Sequence, residues 1–379
     1  MTTMQGVVSK MNKNKTIVMA VAVLFLAGAA AVFLSDDGGA DNSAAAGPLG
    51  APGDPYFSTV NSIGTTVTFD GPAQKVASFG LTFSTTLLAL GCIDDIVMID
   101  NYSTTSSSGV AEFEEIPFFP VGDGQVIAQK LADGLGGFDV DRDVVFIYGY
   151  SYHATAIQSM EKFGIKVVTF YPQTYEAGMD MVTSVGKIMG LDKEAKDITD
   201  SMKVALTYYS DALEDHGISS GAAVNAIYVS YSGGILRVGN VNSYSAILMK
   251  IAGGVNAAED LSKIGTALTS YQVDPTIFVQ LELNVIFLDP YYTGTPDEFR
   301  SEMHIGSSVK IFKLDMIMNQ YGPTSLDGIE FMAMAMYPHI FGPLDDERGS
   351  VISDEALIYI AVGGAAVGIL SVAYIIFRP

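Results

Sequence analysis

A stretch of about 40 residues that begins at Tyr175 contains no proline and only three glycines, and it divides the chain into two halves. Apolar residues recur in it every three or four positions, the period of a helix with one buried face. At a rise of roughly 1.5 Å per residue, such a helix would span on the order of 50 to 60 Å. We therefore predict a long connecting helix over residues 175–217, with a bend at Gly190-Leu191-Asp192.

Short β-branched runs alternate with helical patterns on both sides of this stretch. In the first half we predict strands over 76–79, 96–99, 144–148 and 166–170, and helices over 82–90 and 154–163. In the second half we predict strands over 225–230 and 285–288, and helices over 243–252 and 325–337. This alternation predicts an α/β fold of two lobes, each built on a mostly parallel sheet.

Two uncharged apolar runs bracket the lobes, at residues 16–34 and 356–377. The second is long enough to cross roughly 30 Å of hydrocarbon, and the first has the length and the preceding lysines of a signal peptide or an anchor. Lysines precede the first run and Arg378 follows the second, so the bias of basic residues predicts that both chain ends are cytoplasmic. We therefore predict N- and C-terminal transmembrane helices in the cell membrane, with residues 35–355 on the extracytoplasmic side.

The predicted organisation has seven parts. They are a signal peptide or N-terminal membrane anchor (1–34), a flexible tether (35–58), an N-terminal α/β lobe (59–174), the connecting helix (175–217), a C-terminal α/β lobe (218–341), a second tether (342–355) and a transmembrane helix (356–377). The first tether is rich in glycine, alanine and proline, a composition typical of flexible linkers.

Acidic residues dominate the part between the apolar runs. All 42 acidic residues and 16 of the 20 basic ones lie within residues 35–355, which gives this part a formal charge of −26. That sign is wrong for binding a phosphate backbone, so we expect no nucleic acid partner. The single cysteine, Cys92, excludes an intramolecular disulfide, and the chain contains neither an H-E-x-x-H motif nor a P-loop. We expect no enzymatic activity.

Several segments in order carry a family resemblance. They are KVASFGLTFSTTLLALGCIDDIVMIDNYS at 75–103, DVVFIYGYS at 143–151, AIYVSYSGG at 226–234, VDPTIFVQLELNVIFLDP at 273–290 and SLDGIEFMAMAMYPHIF at 325–341. This set resembles the helical-backbone (class III) substrate-binding proteins of ABC importers, the type that delivers ferric siderophores, haem and cobalamin, and it covers about residues 67–341. The resemblance implies two α/β lobes joined by a long helix, a ligand in the cleft between them, and an ABC permease with its ATPase as partners.

The loops that follow the predicted strands are the candidate ligand contacts, because ligands of open α/β sheets lie outside the carboxyl ends of the strands. The candidates are Phe83, Tyr102, Tyr150, Tyr152, His153, Tyr171, Tyr231, Arg237, Tyr271 and Tyr292. Most are tyrosines, which offer a large apolar ring and a hydroxyl and suit a flat macrocycle or a bulky chelate.

Two of these candidates are charged or titratable. Arg237 could face a carboxylate or phosphate of the ligand, or it could form a surface ion pair. His153 could contact a metal centre or a corrinoid edge, or it could be polar lining; no metal site of the protein's own is expected.

The resemblance also implies one acidic residue on each lobe, near a helix start, for arginines of the permease. Asp133 and Asp274 are the candidates for this docking, although neither matches the family pattern closely.

Together, these observations predict an extracytoplasmic solute-binding component of an ABC importer. It would capture a bulky metal chelate, a ferric siderophore or cobalamin, in the cleft between the lobes, without a cofactor of its own. The alternative is a membrane-anchored surface interaction or adhesion protein that keeps the same fold without transport.

Overall fold

The structure is a computed structural model, and it describes residues 56–61, 64–218, 223–239, 243–259, 270–272 and 275–344. The apolar runs at 16–34 and 356–377, most of both predicted tethers, and Asp274 lie outside these ranges. Within them, no helix combines the length and apolar character needed to cross a bilayer. The terminal transmembrane helices therefore stay predictions.

Twelve strands occur in the described ranges. They are β1 (Phe57–Val60), β2 (Thr66–Phe69), β3 (Val76–Phe79), β4 (Ile96–Ile99), β5 (Val144–Tyr148), β6 (Lys166–Phe170), β7 (Asn225–Ser232), β8 (Ile235–Gly239), β9 (Val255–Asn256), β10 (Ser270–Gln272), β11 (Val285–Leu288) and β12 (Lys310–Lys313).

The α-helices of the same residues number eleven. They are α1 (Leu81–Ala89), α2 (Thr105–Ser108), α3 (Gly124–Ala132), α4 (Ala154–Lys162), α5 (Tyr175–Met189), α6 (Asp192–Asp215), α7 (Tyr244–Ile251), α8 (Pro275–Gln280), α9 (Pro296–Glu302), α10 (Ser325–Met336) and α11 (Pro338–Phe341). Short 3₁₀ turns lie at Ile93–Asp95, Ala111–Phe113, Val121–Asp123, Leu135–Gly137 and Ser151–His153.

The first lobe is built on a four-stranded parallel sheet in the order β4-β3-β5-β6. Every residue of β3 and β4 is buried, because apolar clusters cover both faces of the sheet. Strands buried on two faces read as continuous apolar runs, which is why all four were predicted with their observed bounds. A small antiparallel pair, β1 and β2, precedes this sheet.

The second lobe is built on a mixed sheet in the order β10-β8-β7-β11-β12, with β9 also beside β7. Strands β7, β9, β11 and β12 are parallel, whereas β8 runs antiparallel between β7 and β10. Gly233 and Gly234 both have positive φ in the turn that joins β7 to β8, as a two-residue hairpin turn requires. The prediction of mostly parallel sheets is thus confirmed, with one antiparallel hairpin added.

The connection between the lobes differs from the predicted single helix over 175–217. Helix α5 ends at Gly190, which takes a left-handed conformation at φ 73°, and the Leu191 amide donates to the Gly186 carbonyl at 2.7 Å. This glycine stop ends the helix instead of bending it, so α6 starts anew and packs back against α5. The connecting helix is therefore the 24-residue α6 alone, about 36 Å long at 1.5 Å per residue.

One continuous apolar cluster runs through both lobes and α6. It includes Phe83 in the first lobe, Met202 and Tyr209 in α6, and Phe287 in the second lobe. Tyr209 also packs edge-on against Phe341, with ring centroids 5.3 Å apart. The lobes are thus joined by shared packing in addition to the covalent connection.

Candidate ligand-binding site

The carboxyl ends of the four parallel strands in the first lobe meet at one edge of the sheet, and aromatic residues follow two of them. Tyr150 and Tyr152 come after β5, and Tyr171 comes directly after β6. The rings of Tyr150 and Tyr152 are stacked at 5.0 Å, and those of Tyr150 and Tyr171 meet edge-on at 5.2 Å. The structure therefore brings three of the predicted ligand contacts together.

This stack continues into the core of the lobe. Tyr148, the last residue of β5, stacks on Tyr150 at 5.1 Å and contacts Phe83 at 4.7 Å. The solvent-exposed fraction of these residues rises from 0% at Phe83, in the core, to 74% at Tyr152, at the outer end of the stack. We call Tyr148, Tyr150, Tyr152 and Tyr171 the tyrosine cluster. Phe83 supports this cluster from below and is too buried to be the ligand contact that we predicted.

Gly80 makes room for the tyrosine cluster at its base. It has φ 145°, a conformation that L side chains rarely adopt, and a Cβ there would lie 2.7 Å from the Tyr148 ring. The Tyr148 hydroxyl donates to Thr82 Oγ1 at 2.7 Å, which fixes the ring in this position. Gly80 and this hydrogen bond together fix the orientation of the Tyr148 ring, on which the rest of the tyrosine cluster stacks.

His153 lies at the edge of the tyrosine cluster, and its ring is 4.4 Å from that of Tyr152. Its Nδ1 is 2.9 Å from the Tyr148 carbonyl, which can only accept, so Nδ1 carries the proton. Burial lowers the pKa of His153, which favours the neutral imidazole with Nε2 as an acceptor. Among the described residues, no group of three or more His, Cys, Asp or Glu could hold a metal ion.

The phenols of Tyr148 and Tyr150 stay protonated at neutral pH. Burial, followed by the neighbouring Tyr321, Tyr152 and Tyr171, raises the pKa of Tyr150 well above its usual range. Burial also raises the pKa of Tyr148. The cluster thus presents aromatic rings with hydroxyl groups, a surface suited to the face of a large ligand.

Tyr321 belongs to the segment before α10 and was missed in the sequence. Its backbone N–H donates to Thr82 Oγ1 at 3.2 Å, and its ring lies 4.2 Å from that of Tyr244 in α7. Because the Tyr148 hydroxyl donates to the same Thr82 oxygen, the Tyr321 backbone lies at the base of the tyrosine cluster. Burial and then Tyr171 raise the pKa of Tyr321. It follows no strand, so the strand-end rule could not find it.

Tyr291 lies in the loop that follows β11 of the second lobe. Burial, then Asp289, Tyr102 and Asp100, raises the pKa of Tyr291 to about 12. Tyr102 is half exposed and likewise contributes, after burial, to a raised pKa of Tyr152. Tyr102, which was predicted, follows β4, and Tyr291, which was not predicted, follows β11.

A buried aspartate follows each of these two strands and shapes its loop. Asp100 is 3% exposed and accepts from the hydroxyl and amide of Ser103 at 2.6 and 3.0 Å. Asp289 accepts from the Tyr291 amide at 2.7 Å and the Tyr228 hydroxyl at 3.1 Å. Burial raises the pKa of both carboxyls. These aspartates were not predicted, and they hold the loops that carry Tyr102 and Tyr291.

Tyr231 and Tyr292 meet elsewhere, in a cavity of about 830 Å³ at the carboxyl ends of β7 and β11. Their rings are edge-on at 5.7 Å, and the Tyr292 hydroxyl donates to Glu302 at 3.1 Å. We call this cavity the acidic pocket. Its described lining is Tyr231, Gly234, Leu236, Tyr292, Thr293, Gly294, Asp297, Glu298, Ser301 and Glu302.

The remaining predicted residues lie apart from both places. Arg237 is half-buried in β8 opposite Ser230, on the other side of the strand from Leu236, so it does not line the acidic pocket. Tyr271 lies in β10 opposite Val238, and its side chain is not described. Asp133 is exposed at the end of α3, where it accepts from Gln129 at 2.8 Å.

One sequence of the form G-x-S-x-G occurs, at residues 217–221. A serine hydrolase places this motif on a turn from a strand into a helix. Here it lies between helix α6 and strand β7, the reverse order. It therefore gives no support to a hydrolase.

Two parallel-stranded α/β lobes with a connecting helix are the fold of helical-backbone substrate-binding proteins. The chain has the fold of this class, and the solved structures that share it include a nickel-bound protein, periplasmic haem-binding proteins and a protein of an Fe³⁺-hydroxamate transport system. The fold expected from the sequence resemblance is confirmed.

Three of these structures illustrate the likeness. A nickel-bound CeuE protein of Helicobacter pylori is 15% identical with a TM-score of 0.60, over 83% of this chain and 99% of that one. A periplasmic haem-binding protein of Pseudomonas aeruginosa is 18% identical, with a TM-score of 0.56 over 72% of this chain and 95% of that one. A protein of an Fe³⁺-hydroxamate transport system from Saccharomonospora viridis is 16% identical, with a TM-score of 0.53 over 74% of this chain and 98% of that one.

No family model matches the sequence, and no curated protein matches it. At these identities the likeness to solved structures shows the fold alone.

Proposed function

We propose that this protein is the solute-binding component of an ABC importer, which captures a bulky metal chelate between its lobes and delivers it to the permease. Ferric siderophore and cobalamin are the ligand classes that we propose. The observation that carries this proposal is the tyrosine cluster, where stacked rings lie at the strand ends and the Tyr321 amide of the other lobe donates to the same Thr82 oxygen as Tyr148. Such a surface suits a large, rigid, partly apolar ligand.

The structural neighbours support the same class of ligand. Their names record nickel, haem and Fe³⁺-hydroxamate, all of them metals or metal complexes. The tyrosine cluster offers neutral rings and hydroxyls to the periphery of such a complex, with the His153 Nε2 beside them. In this proposal the metal arrives as cargo inside its chelate and is not a resident ion of the protein.

The delivery step requires a location and a partner. We propose that residues 1–34 and 356–377 hold the protein at the cell membrane and that residues 35–355 lie outside the cytoplasm. Tethering raises the effective concentration of the protein at a permease, so weak docking through residues such as Asp133 and Asp274 would suffice.

The test is a binding screen of the full-length chain in detergent against haem, cobalamins and ferric trihydroxamates. The chain has 19 tyrosines and no tryptophan, so its intrinsic emission reports on tyrosines alone. Binding at the tyrosine cluster should quench this emission and raise the melting temperature as ligand concentration exceeds Kd.

Variants locate the binding. The double variant Tyr150→Ala/Tyr152→Ala should weaken affinity at least about tenfold, since each buried aromatic contact is worth on the order of 1 kcal/mol or more. Tyr208→Ala, on α6 away from the tyrosine cluster, is the matched control and should bind as the wild type does. If no chelate shifts the melting temperature, the importer proposal fails and the adhesion alternative gains. If Tyr208→Ala loses as much ligand affinity as the double variant, the tyrosine cluster is not the binding site.

A further inference from the structure

We infer that Asn319 and Tyr228 are positioning residues for ligand binding, which hold the loop after β11 and its exposed Tyr291 in place relative to the tyrosine cluster. This inference rests on the proposed function and adds to it a second-lobe contact with the ligand. It follows from a series of hydrogen bonds that crosses from one lobe to the other.

The series passes through a short segment between β12 and α10. We call residues 319–322 the bridging segment, because they contact both lobes. The Tyr321 amide donates to Thr82 Oγ1 of the first lobe at 3.2 Å, and the Thr82 hydroxyl donates to Gln320 Oε1 at 3.0 Å. The Tyr321 ring lies 4.2 Å from that of Tyr244, in helix α7 of the second lobe.

The bridging segment also packs closely against helices α1 and α5. Gly322 has φ 142°, and a Cβ there would lie 3.0 Å from Thr86 Oγ1 and 3.4 Å from the Met181 methyl group. This conformation and this close approach both favour glycine. The Gly322 carbonyl accepts from the buried Ser325 hydroxyl at 2.6 Å. The bridging segment is therefore held firmly against the first lobe.

Asn319 connects the bridging segment to the second lobe. Its Nδ2 donates to the Tyr228 hydroxyl at 3.1 Å, and its Oδ1 accepts from Ser245 in α7 at 3.0 Å. Tyr228 in β7 is buried, and its hydroxyl donates in turn to Asp289 Oδ2 at 3.1 Å. The Tyr228 hydroxyl thus accepts one hydrogen bond and donates another, which uses its single proton and fixes its orientation.

Asp289 completes the series at the loop after β11. Its Oδ1 accepts from the Tyr291 amide at 2.7 Å. Tyr291 is 46% exposed at the carboxyl end of β11, the end of a parallel strand at which ligands bind. Tyr292, which was predicted in this loop, is buried and donates its hydroxyl to Glu302. Tyr291 is therefore the ring of this pair that a ligand can reach.

The tyrosine cluster and the loop after β11 are thus fixed to the same bridging segment. The cluster is attached through Thr82, and the loop is attached through Asn319 and Tyr228. A loop that has to be ordered when the ligand binds lowers the affinity, whereas a loop that is already held in place does not. We therefore expect Asn319 and Tyr228 to raise affinity through Tyr291, without contacting the ligand.

The experiment breaks the series at two points with small changes. Tyr228→Phe removes one hydroxyl, and Asn319→Asp keeps the shape of the side chain but, when ionised, cannot donate to Tyr228. Kd is measured by isothermal titration calorimetry on the full-length chain in detergent, with haem, cyanocobalamin and a ferric trihydroxamate as probes. For each probe that binds, both variants should raise Kd by about threefold to tenfold, which corresponds to the net contribution of one hydrogen bond.

A double-mutant cycle separates positioning from a general loosening of the fold. Tyr291→Ala should raise Kd by itself, and Tyr228→Phe should have no further effect in that background, because the residue through which it acts is gone. A purely structural role would weaken binding equally in both backgrounds. If Tyr228→Phe does not fold, Asn319→Asp in the same cycle makes the same comparison.

The control variant is Asn284→Ala, at the opposite end of β11, where the side chain accepts from the Asn225 amide at 3.0 Å. It removes a hydrogen bond next to the same strand and should leave Kd unchanged. Unchanged Kd in Tyr228→Phe and Asn319→Asp, an equal effect with and without Tyr291, or an equal loss in the control would overturn the inference and leave the proposed function standing. Absence of binding of all three probes to the wild type would instead overturn the proposed function, and the inference with it.

Discussion

Replacing Thr82 by valine tests how the two lobes are held together. Thr82 is fully buried in the first turn of α1. Its hydroxyl accepts from the Tyr148 hydroxyl at 2.7 Å and from the Tyr321 amide at 3.2 Å, and it donates to Gln320 Oε1 at 3.0 Å. One side chain therefore links the first lobe, the tyrosine cluster and the segment before α10.

The magnitude follows from the partners that Thr82→Val would leave behind. Valine has nearly the same shape, so packing changes little, but the Tyr148 hydroxyl and Tyr321 amide lose their acceptor. A buried polar group without a partner costs about 1–3 kcal/mol, whereas the half-buried Gln320 can turn to water. We expect a loss of about 2–5 kcal/mol in the free energy of unfolding, or roughly 5–15 °C in melting temperature.

The assay is thermal and urea unfolding of the full-length chain, followed by circular dichroism. Thr82→Ser keeps the hydroxyl and loses only a methyl group, so it should cost no more than about 1.5 kcal/mol. The reasoning is wrong if Thr82→Val stays within about 0.5 kcal/mol of the wild type, or if the serine variant is equally destabilised, because the methyl group would then carry the effect.

Three further predictions use different observables. Gly186→Ala should lower the free energy of unfolding by about 1–3 kcal/mol, because the new methyl group would collide with Ala195. Gly178→Ala, on the same helix, has space for the methyl group and should not be destabilised in this way. Similar urea midpoints for the two variants would contradict this prediction. Burial raises the pKa of Cys92 to about 12, so a thiol reagent at pH 8 should label it only after unfolding, and rapid labelling of the native protein would refute this. Burial lowers the pKa of His153 in the folded protein, so the unfolded state binds a proton at this side chain more readily. The contribution of His153 to the free energy of unfolding is therefore lost as the pH falls below about 6.5, the usual pKa of histidine. His153→Gln should make the melting temperature less dependent on pH between about pH 5 and 7. If the slope of melting temperature against pH is the same as in the wild type, this prediction is wrong.

Six of the twelve described strands were predicted, because each of these six is a short apolar run closed by breakers; β1, β2, β8, β9, β10 and β12 were not predicted. All four strands of the first sheet have the predicted bounds, the helix after β3 is shifted by one residue at both ends, and the helix after β5 ends one residue earlier than predicted. The helix over 175–217 was wrong because a glycine at φ 73° reverses the chain, and local pattern cannot separate a bend from a stop. That distinction is made by packing between Gly186 and Ala195, which are close only in the folded protein.

The tyrosine cluster was predictable to the extent that it depends on topology. Tyr150, Tyr152 and Tyr171 lie together, as predicted, because parallel strands bring their carboxyl ends together; that they contact a ligand stays a prediction. Tyr321 was missed because its place depends on a contact with Thr82 that is 239 residues away in sequence. Phe83 was misplaced because a ring at the start of a helix can face the cleft or the core, and here it faces the core.

The apolar cluster that passes from the first lobe through α6 into the second has a consequence for unfolding. Each lobe has a smaller apolar cluster of its own, but Met202 and Tyr209 belong to the cluster that both lobes share. The folded region should therefore unfold in a single cooperative transition, with equal calorimetric and van't Hoff enthalpies. A fragment cut between α6 and β7 would expose half of a shared core and should fail to fold by itself.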